Sequence, residues 1–303
     1  MTSPICLVGI GKIAKDQHVP AIAASSDWEL AATVSRAGSV DGVPAYQDFA
    51  KLLEERPDIK VISLCLPPVP RFDYAKAAIE AGRHVMLEKP PGATLAEVHE
   101  LQKLAQATGV CLFATWHSRM ACGVSAAKEW LAERKVNSAH ITWKEDVRRW
   151  HPGQEWVFDP GGMGVFDPGI NALSILTEIL PEAVFLRSAE LAFPENRQTP
   201  IAATLQFSGN VSADFDWRQE GPQTWQISVQ TDEGEVVLDD GGSSLTLAGD
   251  TIDVGENREY PALYERMAEL VKSGESDVDL APMIHVSDAL TLGRRTIVEP
   301  FEF

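Results

Sequence analysis

Along the first 118 positions the apolar residues gather into short runs, at 5–8, 30–34, 61–66, 84–87 and 110–115. Runs of this length bounded by turn residues read as strands, and unbroken ones such as 61–66 suit strands buried on both faces. Between them the pattern is helical, at 13–22 with Ile13, Ala14, Val19 and Ile22 as apolar positions, and at 46–55, 72–81 and 94–107. Gly82 suits the end of the third helix, and Thr94 with Glu97 forms a capping-box pair for the fourth. Pro67 and Pro68 stop the run 61–66 and predict a rigid loop at the carboxyl edge of the sheet. Strand and helix in alternation predict an α/β fold with a doubly wound parallel sheet.

The second half has a different rhythm. A helix is expected over 119–133. Alternating apolar and polar stretches follow at 139–143, 183–193, 201–207, 211–217, 224–230, 234–238 and 244–247. Alternation of this kind marks strands with one face open. Helical patterns cover 171–180, a segment from Pro261 to Gly274, and 282–293. The prediction is a C-terminal α+β domain, with a mainly antiparallel open sheet and helices on one side. The expected division is 1–118 and 119–303, and the open sheet is a possible surface for a homo-oligomer.

Composition narrows the function. The formal net charge is −18, which argues against a general nucleic-acid surface. No run of about 18 apolar residues occurs, so no membrane span is expected. The chain enters its first strand without a leader-like stretch, and its four cysteines, Cys6, Cys65, Cys111 and Cys122, fit no metal or paired-cysteine spacing. A cytoplasmic protein with reduced thiols and no metal site is the expectation.

The first run leads into Gly9-Ile10-Gly11-Lys12-Ile13-Ala14, a G-x-G-x-x-A turn between a strand and a helix. Such a turn binds a dinucleotide: Gly9 permits the bend, Gly11 lets the pyrophosphate approach, and Ala14 lets helix and strand lie close. The N–H groups near Lys12 and Ile13 would face the phosphates. The second strand ends in Ser35-Arg36, where NAD enzymes carry an acidic residue for the ribose. A hydroxyl and a guanidinium suit a 2′-phosphate, so NADP is expected, with NAD also accepted. Leu66 and Pro67, Glu88 and Lys89, and Trp116 stand at the ends of later strands, the edge where cofactors lie in this fold.

With Glu88-Lys89-Pro90 and the glycine-rich loop 161–164 before Asp167, these motifs make the whole chain resemble the glucose–fructose oxidoreductase/inositol dehydrogenase/rhizopine-catabolism (Gfo/Idh/MocA) family, with its N-terminal Rossmann domain. The runs 9–20, 84–93, 113–119 and 143–154 are most similar to the sugar 1-dehydrogenases of that family. The resemblance implies oxidation of C1 of L-arabinose, D-galactose or a related aldopyranose to a lactone with NAD(P), and a cis Lys89–Pro90 bond. The alternatives are a polyol dehydrogenase forming a ketone, or a nucleotide-sensing regulator without catalysis.

Oxidising a hemiacetal needs a hydride acceptor, a proton acceptor and a group that steadies the C1 oxygen. Lys89 is the expected cation at that oxygen. Asp167 and Asn171, four apart, share one helix face. Asp167 is also a natural helix N-cap, with Pro168 after it. The family usually carries histidine as general base where this chain has Asn171. An amide accepts no proton near neutrality, so the acceptor is Asp167, Lys89 or a water they hold. Asn171 is assigned to the C1 or ring oxygen. Glu145 and His151 are the choices for sugar hydroxyls, Trp150 for an aromatic wall, and His117 for the nicotinamide, the sugar or a structural hydrogen bond.

Overall fold

A computed structural model describes residues 2–303. The chain groups into two units, one of 1–117 with 259–279 and one of 118–258 with 280–303.

The first unit begins with strands β1 (Ser3–Val8), β2 (Trp28–Val34), β3 (Ala45–Tyr46), β4 (Val61–Leu64), β5 (His84–Leu87) and β6 (Leu112–Ala114). They form one parallel sheet in the order β3-β2-β1-β4-β5-β6. The order reverses between β1 and β4, which is where a doubly wound sheet opens its ligand crevice. Helices α1 (Val19–Ala23), α2 (Phe49–Glu55), α3 (Pro68–Glu80) and α4 (Leu95–Thr108) connect the strands. Val8, Val34, Ile62, Leu64, Val85, Leu87 and Leu112 pack with Leu52, Ile79 and Leu101 into a core on one side of the sheet. The predicted strand–helix alternation is thus realised, because continuous apolar runs can be covered only by helices on both faces.

The details differ in informative places. The first helix opens as a wide π-turn over Ala14–His18 before continuing as α1. Pro20 has no N–H to give residue 16, and its ring crowds that carbonyl, so the ladder widens just ahead of it. The turn also changes the buried face: Ala14, His18 and Ile22 are enclosed, whereas Ile13, expected inside, is exposed. Pro67 and Pro68 do not form a loop. Pro68 starts α3 with Pro67 at its N-cap, since a fixed φ and a missing N–H cost nothing in the first turn. Tyr46 belongs to β3, and α2 starts three residues later behind the Asp48 cap. The capping box of Thr94 and Glu97 is present at α4, and Gly109 in the left-handed conformation ends that helix.

The second unit opens with α5 (Val124–Leu131), shorter than the helix expected over 119–133, since Gly123 gives its N–H to the Gly242 carbonyl at 2.9 Å and not to the preceding turn. It continues with β7 (Val136–Lys144), α6 (Val147–Trp150), α7 (Phe166–Ile179), β8 (Leu186–Pro194), β9 (Ala202–Phe207), β10 (Val211–Asp216), β11 (Thr224–Thr231), β12 (Gly234–Asp239), β13 (Ser244–Leu247) and β14 (Asp250–Ile252). Then α8 (Glu259–Ser273) returns to the first unit, and α9 (Ala281–Leu292) and β15 (Arg294–Val298) close the second. The nine-stranded sheet runs β14-β13-β12-β11-β7-β10-β9-β8-β15. It is antiparallel except where β10 meets β7 and β15 meets β8. Inward residues such as Ile141, Trp143, Leu205, Phe215, Ile227 and Val229 are buried, while their neighbours along each strand face outward.

The return of α8 is a difference from the expected boundary at 118. Trp28 donates its indole N–H to the Tyr264 carbonyl, Ala114 its N–H to Asp277, and Leu112 its N–H to Ser276. An amphipathic pattern tells that α8 is half-buried and says nothing of what covers it.

Replacing Thr94 with alanine removes the side-chain acceptor for the Glu97 N–H. Urea titration is expected to read a loss of about 1 kcal/mol in unfolding free energy.

Candidate active site

In the first unit the glycine turn has the shape a dinucleotide needs. Gly9 has a φ of 89°, and a Cβ there would meet Leu66 at 3.0 Å. At Gly11 a Cβ would meet no protein atom within 4 Å, so this side of the backbone is open to a phosphate. Ala14 is fully buried against the strand. Lys12 forms an ion pair with Asp16, and Ile13 presents its side chain at the surface. Ser35 follows β2, and its hydroxyl oxygen accepts the N–H groups of Ala37 and Gly38 at 3.4 and 3.1 Å. Those bonds curl the turn that carries the exposed Arg36. Leu66 gives its carbonyl to Arg71, and Pro67 is exposed. Trp116 is buried and donates its indole N–H to Asp279.

Lys89 follows β5, and its bond to Pro90 is cis. Beside it, Glu88 turns its carboxylate inward and is 5% exposed. One oxygen accepts from the His18 ring at 3.0 Å and from the Tyr260 hydroxyl at 3.0 Å, and the other accepts the Lys89 N–H at 2.8 Å. The second ring nitrogen of His18 lies 2.7 Å from the Tyr264 hydroxyl. Burial alone would raise the Glu88 carboxyl, but the bond to His18 and its positive charge outweigh it and bring the pKa down to about 2. Burial likewise disfavours a charged His18, yet Cys65, Tyr264 and Glu88 together hold it well above its usual value. Burial and the neighbouring Glu88 push the Tyr260 hydroxyl up, so it stays a donor. His117 lies 2.6 Å from Glu259, its ring stacked on Tyr260.

In the second unit the structure brings His151 to Asp167. Helix α7 begins at Phe166 with Val165 as N-cap, so Asp167 lies inside the first turn and not at the cap. Asp167 is 7% exposed, and its carboxylate lies 3.1 Å from Nε2 of His151. Nδ1 of His151 lies 3.4 Å from Gln154, which also accepts the Trp156 indole N–H. The His151 ring meets Trp217 edge-on. The glycine loop sets this geometry: Gly164 has a φ of 55°, and a Cβ on it would lie 2.2 Å from the Pro200 carbonyl. Asn171, one turn beyond Asp167, is half-buried.

Glu145 closes β7 and is buried. Its two oxygens accept the indole N–H groups of Trp217 and Trp225 at 3.1 and 2.8 Å. Trp150 packs on Trp225, and its buried indole nitrogen has no hydrogen-bond partner among the described residues. Asp216 and Arg218 pair with each other on the opposite face of the sheet. No cluster of histidine, cysteine and carboxylate that could hold a metal occurs among the described residues.

His18, Arg71, Tyr260 and Tyr264 escaped the sequence reading. A signal existed for three of them. His18 falls between Ala14 and Ile22 on one helix face, and Tyr260 and Tyr264 share a face with Met267. A polar residue on an otherwise buried stripe needs a partner.

Fold and turn define a nucleotide-binding oxidoreductase of the Rossmann class. The model of the Gfo/Idh/MocA oxidoreductase family, with its NAD-binding Rossmann fold, matches residues 4–115. A galactose 1-dehydrogenase from Pseudomonas fluorescens is 43% identical over 97% of either chain. The chain belongs to the Gfo/Idh/MocA oxidoreductase family. The crystal structure of a D-galactose-1-dehydrogenase protein from Rhizobium etli superimposes with a TM-score of 0.96 at 51% identity, over 100% of this chain and 99% of that one. A 3-ketoreductase from Actinomadura kijaniata shares the fold at 18% identity, with a TM-score of 0.79 over 98% and 100% of the two chains.

The His18–Glu88 pair carries a pH signature. Glu88 has a depressed pKa, so its contribution is complete above the ordinary 4.5 and is lost as pH falls through about 2. His18 has a raised pKa, so its contribution is complete below the ordinary 6.5 and is lost only as pH rises through the higher value in the fold. The stability gap between the native protein and Glu88→Gln is therefore expected to be widest between pH 4.5 and 6.5. It should narrow as pH falls towards 2, as read by unfolding free energies across that range.

Proposed function

We propose that the protein oxidises the anomeric carbon of D-galactose, or of an aldopyranose with the same ring stereochemistry such as L-arabinose, to the aldonolactone, using NADP in preference to NAD. The observation that carries this is the likeness to two galactose 1-dehydrogenases over essentially the whole chain. A bound nicotinamide would take the hydride from C1. The O1–H bond breaks as C1=O forms, and the proton must go to a protein group or a water.

Asp167 is the proposed acceptor of that proton. Its carboxylate is buried and held by His151 at 3.1 Å, and Asn171 stands in place of the histidine usual in the family. Lys89, fixed at its peptide by Glu88, is proposed to steady the C1 oxygen as negative charge develops there. The half-buried Asn171 amide is suited to the C1 or ring oxygen. His151 and His117 are proposed for sugar hydroxyls and Trp150 for the aromatic wall. Glu145 serves the sugar indirectly in this proposal, by holding Trp217 and Trp225.

Arg36 and Ser35 are proposed to receive the 2′-phosphate. The open sheet face carries Lys144, Glu190, Asp214 and Arg218 around a shallow groove of about 290 Å³. Mixed charge of this kind can complement itself across a two-fold axis, which supports a homo-oligomer through that face. No helix among the described residues is long and apolar enough to cross a membrane. A cytoplasmic location is proposed on the free cysteines.

An aldose and polyol panel, followed by reduced-nicotinamide absorbance and product analysis, tests the activity. Lactone from D-galactose or L-arabinose is expected. A ketone product, or silence with every aldose, would exclude the proposal. Asp167→Ala should lower kcat by about 10²- to 10⁴-fold while the KM for NADP stays unchanged. Arg36→Ala should raise the KM for NADP about tenfold and leave that for NAD nearly unchanged, the size of one lost charge-assisted phosphate contact.

A further inference from the structure

We propose that His18, Glu88, Tyr260 and Tyr264 form a positioning device for Lys89, an inference that rests on the role given to Lys89 above. None of the four is open to substrate: His18 is 0% exposed and the other three are also buried. Their connection to Lys89 is direct. The Glu88 oxygen not shared by His18 and Tyr260 accepts the Lys89 N–H at 2.8 Å. From the other side the buried Arg71 guanidinium donates to the carbonyls of Glu88 and Pro90, which flank the lysine. Residue 89 is thereby gripped at its own N–H and at the carbonyls on either side of it.

Titratable and charged groups face the device from several elements. Cys65 follows β4, His117 follows β6 and pairs with Glu259, and Lys89 and Arg71 stand at the turn. Tyr260 lies between two imidazoles, with its ring centroid 4.9 Å from that of His18 and 5.4 Å from that of His117. An apolar filling would join strand to helix without desolvating two charges. It would offer no acceptor for the Lys89 N–H. An ionised carboxylate does so, and the imidazolium lets that carboxylate remain ionised in the interior. The charge pair is thus matched to the task of holding one peptide in place.

The test compares His18→Asn, Tyr260→Phe and Lys89→Ala, alone and combined, with thermal melts to establish folding. In H18N, kcat for the sugar is expected to fall tenfold or more, and in Y260F about threefold. The KM for the dinucleotide should stay within about twofold, because the glycine turn is untouched. In the K89A background, measured by single turnover over hours, neither substitution should slow the reaction further, since both act through the same amine. Y260F removes one hydroxyl only and keeps the test intact should H18N fail to fold. A native kcat in folded H18N or folded Y260F overturns the inference, and so does an equal fold-loss in the presence and absence of Lys89. Native turnover by K89A itself would instead remove the role of Lys89, and the inference with it.

Discussion

A carboxylate buried beside an imidazolium is the contact on which the first unit turns. Removing two charges from water costs several kcal/mol each, and the pair is tolerated only when its remaining hydrogen-bonding positions are filled. Here they are filled from distant parts of the chain: residue 18 after the glycine turn, residue 88 at the end of β5, and residues 260 and 264 on α8. The same bonds that make the charges bearable therefore draw α8 back to the sheet. They also bring the nucleotide-facing helix and the lysine turn under one constraint. Loss of His18 or Glu88 would leave a buried charge without its partner, whereas loss of a tyrosine hydroxyl would remove one hydrogen bond and leave the pair standing.

The second unit solves a similar problem with different chemistry. Glu145 is an acceptor only, and indoles are donors only, so each of two tryptophans fills one oxygen of a buried carboxylate. Trp217, held in this way, forms a wall for His151, and His151 in turn meets Asp167. The glycines at 162 and 164 belong to the same construction. Backbone oxygens stand within 2.5 Å of where their Cβ atoms would be, so the loop can deliver Asp167 only if it carries no side chain there. An orienting carboxylate, a fixed ring and a bare loop together hold the Asp167 carboxylate nearly out of water and against His151.

Much of this was readable before any coordinates. The period of the apolar runs determined that the first unit is a parallel sheet wrapped by helices and that the second is an open, mostly antiparallel one, because burial on two faces or on one leaves its mark residue by residue. Gly9, Gly11 and Ala14 announced the nucleotide turn, since that local backbone shape tolerates few residues. The sequence proposes Glu145, Trp150, His151, Asp167 and Asn171 for sugar chemistry, and of these the structure joins His151 directly to Asp167. Partnership was decided elsewhere. The position of Glu88 predicts a cofactor contact, but its carboxylate lies inward on His18; the proline pair predicts a loop, but Pro68 begins a helix; a boundary at 118 puts α8 in the second half, but it groups with the first. Spacing along the chain records how a residue is oriented to its own helix or strand, which is a matter of a few dihedral angles. Which group from 70 or 246 residues away satisfies a buried charge is settled only when the layers close, because desolvation penalises every unpaired arrangement and the sequence contains no local trace of the one that survives.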